Sequence, residues 1–81
     1  MELKLYQRVA LRNDFPEQRL RQGDIATLVD FVPHPQRGEE GCLLEVFNAL
    51  GDSLAVVAVP LSAVKALRPD EVMSVRRLAQ V

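Results

Sequence analysis

The side chains best suited to acid–base or nucleophilic chemistry are one histidine and one cysteine, His34 and Cys42. His34 stands between two prolines, in a sequence typical of an exposed loop. As a general base it would need a carboxylate to orient its ring and a nucleophile within reach, and the sequence marks no such nucleophile. Cys42 opens an apolar stretch, where a cysteine acts as a small hydrophobic residue. One cysteine and one histidine are also too few ligands for a Cys/His zinc site.

Two pairs of adjacent carboxylates, Glu39-Glu40 and Asp70-Glu71, are the other candidates for acid–base chemistry. Glycosidases place two carboxylates on opposite sides of a cleft. We expect no cleft of that size in a domain of 81 residues, so we interpret both pairs as solvated charges. A phosphate-binding glycine loop is also missing from the sequence. The sequence therefore predicts that the protein is not an enzyme and that it uses no cofactor and no metal.

Recognition of a partner is the remaining chemistry, and two loops carry the side chains for it. These are the Asp14–Leu20 loop and the Pro33–Glu40 loop, both of which contain turn-forming residues. Loops on a rigid scaffold are common binding sites, and arginine and aromatic side chains dominate interfaces. The predicted contacts with a partner are Phe15, Arg19, Arg21, His34 and Arg37. Two alternatives remain open: the loops are solvated connectors, or Phe15 is buried and closes one end of the domain.

Length and charge restrict the kind of protein this is. The 81 residues correspond to one domain, residues 1–81, whose small core favours self-association as a source of stability. A net charge of −1 argues against a nucleic-acid partner. The longest apolar run, Leu54–Leu61, is far shorter than the roughly 20 residues that cross a bilayer. Charged residues interrupt the N-terminal segment, so we expect no signal peptide and a cytoplasmic location.

The elements that must position these residues are strands. Gly-Asp turns at Gly23 and Gly51 each lead into a β-branched run, which is typical of a small barrel or curled sheet. The segment Leu61–Leu67 has the composition of one helical turn. For the last segment, a helix that Asp70 caps is the alternative to a strand. The five predicted strands are Tyr6–Leu11, Asp24–Val32, Gly41–Asn48, Ser53–Pro60 and Glu71–Leu78.

The charge pattern of the strands predicts where a second copy would pair. The run Leu54–Val59 carries no charge, so we expect this strand to be central in the sheet or covered. The first and last strands, Tyr6–Leu11 and Val72–Leu78, are the predicted edges. Pairing of either strand with a second copy would give an isologous dimer.

Three segments of the chain resemble a known family. They are Asp14–Glu17 (Asp-Phe-Pro-Glu), Leu20–Asp24 (Leu-Arg-Gln-Gly-Asp) and Leu67–Pro69 (Leu-Arg-Pro). In this order the chain resembles, over nearly its whole length, a small bacterial family catalogued as domain of unknown function 4926. The resemblance implies an all-β, five-stranded SH3-like barrel, and it supplies no catalytic residues. Some family members lie beside genes for other small proteins, which implies paired partners.

Three functions are compatible with these features. The first is a protein-interaction module, an antidote or accessory partner of a neighbouring gene product. The second is an RNA- or ribosome-binding module of KOW type, which the Gln22–Asp24 turn and the scattered arginines suggest. The third is a regulatory subunit docked on a redox enzyme, by analogy with other SH3-like barrels. Few aromatic residues are present for base stacking, so the first function is the prediction.

Overall fold

The computed structural model describes residues 3–33 and 38–78. It contains five strands: β1 (Arg8–Leu11), β2 (Ile25–Val32), β3 (Gly41–Phe47), β4 (Ser53–Pro60) and β5 (Val64–Ala66). Two 3-10 turns, Pro16–Gln18 and Leu61–Ala63, are the only helical elements of the described residues. The prediction of a small all-β fold with five strands is therefore confirmed. No helix in this part of the chain is long and apolar enough to span a membrane.

The strands form one antiparallel sheet in the order β4-β3-β2-β1-β5. Strands β2, β3 and β4 follow one another as a meander, and the chain then crosses through the Leu61–Ala63 turn to pair β5 with β1. This order, with a 3-10 turn before the last strand, does not conflict with the SH3-like barrel that the resemblance implies. Gly51 has a φ of +91°, as its place in the predicted hairpin turn requires.

All five strands contribute to a single core on one face of the sheet. Strand β3 shows the period of two most clearly, because Cys42, Leu44 and Val46 are buried and alternate with more exposed residues. The sheet must curl to bury these side chains, since no helical layer covers it. The core cluster consists of Val9, Leu11, Leu20, Ala26, Leu28, Cys42, Leu44, Val46, Val57, Val59, Ala63 and Val64.

A β-bulge in β2 keeps a charge out of the core. Strict alternation after Ala26 and Leu28 would place Asp30 on the buried face. The register instead shifts between Leu28 and Asp30, so that Asp30 pairs with Leu43 on the outer face and is exposed. Phe31 consequently packs against the core cluster. The bulge explains why both faces of this strand look apolar in the sequence.

The fifth strand lies elsewhere than predicted. Residues Glu71–Leu78 form neither a strand nor a helix, and β5 is Val64–Ala66, inside the segment predicted as one helical turn. Only Leu61–Ala63 is helical, because the chain becomes extended at Val64 (φ −123°, ψ 155°). The three residues of β5 occupy the free edge of β1, so that edge is not available to the segment that follows.

The predicted edges of the sheet are also wrong. Strand β1 pairs with both β2 and β5, so it is internal and offers no free edge to a second copy. The charge pattern predicts that the Leu54–Val59 strand is central or covered, but β4 forms one edge of the sheet and, among the described strands, pairs only with β3. The meander ends at β4, and the following turn carries the chain to the opposite edge. A proline at the end of β4, Pro60, is compatible with this edge position.

Candidate functional site

The Asp14–Leu20 loop is held in one conformation by its own hydrogen bonds. Phe15 and Leu20 exchange two backbone hydrogen bonds of 2.8 and 3.0 Å, and the 3-10 turn lies between them. The carboxylate of Asp14 accepts the backbone N–H of Gln22 at 2.8 Å. This network makes the loop a rigid platform on which exposed side chains have defined positions.

The described part of the chain places three of the five predicted contact residues. Phe15 is partly buried and packs against the core cluster, so its ring is not free on the surface. Arg19 and Arg21 are exposed, and Arg19 has a left-handed backbone (φ 61°) at the end of the 3-10 turn. His34 and Arg37 lie outside the described residues. The structure therefore brings Arg19 and Arg21 together on one loop, with Phe15 anchoring that loop to the core.

The C-terminal segment, residues 67–78, is tied to this loop by an ion pair. Arg76 donates its Nε–H to Asp24 Oδ1 at 2.8 Å, and its Nη2 also contacts Asp24 Oδ2. The same Nη2 donates to the carbonyl oxygen of Arg19 at 3.0 Å. Burial alone would raise the pKa of Asp24, but hydrogen bonds from Arg76 and from the Arg21 N–H lower it overall. Asp24 is therefore a stably charged anchor.

A second ion pair, between Lys65 and Glu71, holds the start of the same segment. Glu71 Oε2 contacts Lys65 Nζ, and Glu71 Oε1 accepts the backbone N–H of Arg68 at 2.7 Å. These contacts, with the Lys65 hydrogen bond the largest, lower the pKa of Glu71. The C-terminal segment is thus fastened at two points and crosses the outer face of β1, where Ala10 is buried.

A cleft of about 610 Å³ lies between this segment and the sheet. Ala10, Ile25 and Leu67 supply apolar lining, and Arg8 and Arg68 supply positive charge. The expectation that so small a domain has no sizeable cleft is therefore wrong. Glu71 is the only carboxylate among the residues lining it, so the cleft lacks the facing pair that glycosidase chemistry needs.

A second exposed surface is formed by β4 and the outer face of the β3–β4 hairpin; we call it the β4 surface. Its large apolar side chains are Leu54, Val56 and Phe47, with exposed fractions of 46%, 57% and 41%. Val56 pairs with Glu45 across the hairpin, and every residue of β4 itself is uncharged. The β4 surface therefore combines exposed apolar side chains with a backbone edge that pairs with no other strand among the described residues.

Cys42 and Glu39, two of the residues considered for catalysis, contribute to the packing and the hydrogen bonding of the fold. The Cys42 side chain is completely buried, and burial, aided by the charge of Glu40, raises the pKa of its thiol. Hydrogen bonds from the Ser62 side chain and from the Ser62 backbone N–H, the latter at 2.6 Å, lower the pKa of Glu39 and fix the 3-10 turn before β5. Among residues 3–33 and 38–78 no group of three or more His, Cys, Asp or Glu side chains is placed to hold a metal ion.

The sequence predicted neither the β4 surface nor the Asp24–Arg76 ion pair, which we call the C-terminal latch. The charge-free run Leu54–Val59 indicates a strand that needs covering, but it does not indicate that this strand lies at an edge of the sheet. The signal for the latch was weaker. Asp24 and Arg76 are 52 residues apart, and no local sequence pattern connects the turn before β2 with an arginine in the C-terminal segment.

Fold and surfaces together define a small all-β domain whose exposed features are suited to binding. The chain belongs to the family described as domain of unknown function (DUF4926), whose model matches residues 5–73. The resemblance found in the sequence is thereby confirmed. Neither the curated proteins nor the solved structures contain a significant match to the chain.

Proposed function

We propose that this protein is a protein-interaction module and that another protein chain binds its β4 surface. One observation carries the proposal: an uncharged strand of eight residues, Ser53–Pro60, stands at the sheet edge with exposed apolar side chains. Edge strands in soluble proteins are usually protected by charge, by bulges or by a covering element. Within β4, protection is limited to a register shift near its start and to Pro60 at its end.

The free edge of β4 suits the addition of a strand from the partner. In this mode of recognition, main-chain hydrogen bonds supply affinity, and pockets for alternate side chains supply specificity. An added strand next to Val56 would lie beside the apolar outer face that also contains Leu54 and Phe47. Covering these three side chains removes apolar area from water, which favours association.

The biological role that fits this surface is that of an antidote or accessory partner of a neighbouring gene product, acting in the cytoplasm by binding rather than by catalysis. The paired gene arrangement implied for the family supports this role. Arg19, on the rigid Asp14–Leu20 loop, and Arg21, just after it, are exposed and stay predicted contacts with the partner. The participation of His34 and Arg37, outside the described residues, stays a prediction.

The test is an affinity capture from the native cell, with the adjacent open reading frames noted, followed by titration of the purified partner. Val56→Lys places a charge on the β4 surface, and Val75→Lys is the matched control, because Val75 is 93% exposed and lies outside β4. We expect Val56→Lys to weaken binding at least about tenfold, which is about 1.4 kcal/mol. The control should leave the affinity within about twofold.

Equal affinities of the two lysine variants would overturn the β4 surface as the binding site. Light scattering of the purified protein identifies self-association at the same surface. A dimer that Val56→Lys dissociates, and Val75→Lys does not, would make a second copy of this chain the partner. Thermal unfolding of both variants shows that they are folded before binding is compared.

A further inference from the structure

The cleft beside β1 and β5 is separate from the β4 surface and lies toward the opposite edge of the sheet. Cross-strand pairing aligns Ile25, Ala10 and Lys65 in one row across β2, β1 and β5. Arg8 is the next outward-facing residue of β1, and it lines the cleft together with Leu67. The C-terminal segment forms the other wall. A volume of about 610 Å³ is within the range of ligand-binding pockets, roughly 300–1,000 Å³.

The charge in this cleft is mostly positive and is only partly neutralised. Lys65 is paired with Glu71. The guanidinium groups of Arg8 and Arg68 form no ion pair with any other described residue. Guanidinium groups bind carboxylates in a planar, two-pronged geometry, and they lose less hydration on pairing than an ammonium group does. The lining is therefore complementary to a ligand that carries carboxylates and apolar groups together.

A segment of this chain at the cleft wall has the composition expected of such a ligand, a carboxylate followed by apolar side chains. At the cleft wall, the Glu71 carboxylate accepts a hydrogen bond from the Lys65 ammonium group, and the two residues that follow are Val72 and Met73. Val72 is 92% exposed and Met73 55%, so this stretch is held by its charge and buries little apolar surface. It has no regular secondary structure. An acidic residue followed by apolar residues thus lines the cleft, and its charge makes the main contact.

We propose that the cleft binds an extended acidic segment of another protein, in which a carboxylate lies beside apolar side chains. Until that segment binds, Glu71 pairs with Lys65 in its place. The incoming carboxylates pair with Arg8 and Arg68 and compete with Glu71 for Lys65. Because exposed ion pairs contribute little to stability, replacing the Lys65–Glu71 pair costs little. The Arg76–Asp24 pair keeps the C-terminal segment in place as the cleft wall while Glu71 releases Lys65.

The experiment titrates the full-length protein with a fluorescein-labelled peptide, Pro-Asp-Glu-Val-Met-Ser-Val, which copies residues 69–75. Its neutral counterpart is Pro-Asn-Gln-Val-Met-Ser-Val. Glu71→Gln removes the internal competitor, so this variant should bind the acidic peptide at least about fivefold more tightly than the unmodified chain does. The neutral peptide should bind at least about tenfold more weakly than the acidic one.

Arginine variants in the Glu71→Gln background locate the binding site. Arg8→Gln and Arg68→Gln should each weaken binding about fivefold, and the control Arg77→Gln, at an exposed residue outside the cleft lining, should leave it within about twofold. Equal binding of the two peptides, equal effects of the three arginine variants, or no binding at millimolar peptide would overturn the proposal. Val56→Lys should not change peptide affinity, so the peptide titration tests the cleft independently of the β4 surface.

Discussion

Arg76 and Asp24, 52 residues apart, form a two-pronged ion pair that joins the C-terminal segment to the turn before β2. The Asp24 carboxylate also accepts the backbone N–H of Arg21 at 2.8 Å. Arg76 in turn reaches the carbonyl oxygen of Arg19. One pair of side chains therefore fixes the end of the β1–β2 loop, the start of β2 and the C-terminal segment.

Asp24→Asn should destabilise the fold by about 1–3 kcal/mol, because it replaces charge-assisted hydrogen bonds in a partly buried site. Urea unfolding at neutral pH measures the change. Asp70→Asn is the control, because Asp70 is exposed and its side chain forms no hydrogen bond or ion pair with another described residue. A double-mutant cycle with Arg76→Gln should show coupling between Asp24 and Arg76. Additive effects of the two substitutions would contradict the latch.

The contribution of Asp24 should depend on pH with a defined sign. The pKa of this carboxyl is lower in the folded protein than the ordinary value of 3.8. A group of this kind stabilises the fold above its unfolded pKa, and the stabilisation is lost as the pH falls through the folded pKa. The difference in unfolding free energy between the unmodified protein and Asp24→Asn should therefore be constant near neutrality and vanish in strong acid. A difference that grows below pH 3.8 would have the wrong sign.

Phe15→Ala should lower stability by about 1–3 kcal/mol, because the ring is partly buried against the core cluster. Phe15→Leu keeps much of the apolar volume and should cost less. Thermal unfolding distinguishes the two interpretations that the sequence left open. If Phe15→Ala leaves the thermal midpoint unchanged and weakens partner binding, the ring is an exposed contact and its packing is unimportant.

Arg19→Gly should be more stable than Arg19→Ala by about 1 kcal/mol. Arg19 has a left-handed backbone (φ 61°, ψ 29°), which glycine adopts without the steric cost of a Cβ atom. Arg21, which is not among the residues with positive φ, provides the control. At that position glycine should be less stable than alanine, because it adds entropy to the unfolded chain. Unfolding curves of the four variants give the comparison.

Cys42 should react with a thiol reagent on the order of a hundredfold more slowly in the native protein than in urea. The side chain is completely buried, and burial raises the pKa of its thiol, so little thiolate is available. Adding denaturant should accelerate the reaction in parallel with unfolding. Rapid modification under native conditions would instead indicate that β3 opens readily and would revive a chemical role for this residue.

The sequence by itself predicted the all-β class, the approximate positions of β2, β3 and β4, and the turn at Gly51. These features arise from local causes. An alternation of two residues marks a strand with one buried face, and a glycine permits the positive φ of a tight turn. The buried positions Cys42, Leu44 and Val46 follow from alternation within a single strand. The Gly-Asp signal before β2 likewise depends only on neighbouring residues.

Only the tertiary structure decided which strands are edges, where the fifth strand lies and what the C-terminal segment does. Val64–Ala66 is too short to show a period of its own, and it is a strand because β1 offers it a partner. The bulge before Asp30 likewise depends on tertiary structure, because it keeps this charged side chain out of the core. The edge position of β4, the cleft beside Ala10 and the Asp24–Arg76 pair depend on contacts between distant residues. Such contacts form when the whole sheet curls around its core, and no short window of sequence contains the residues that make them.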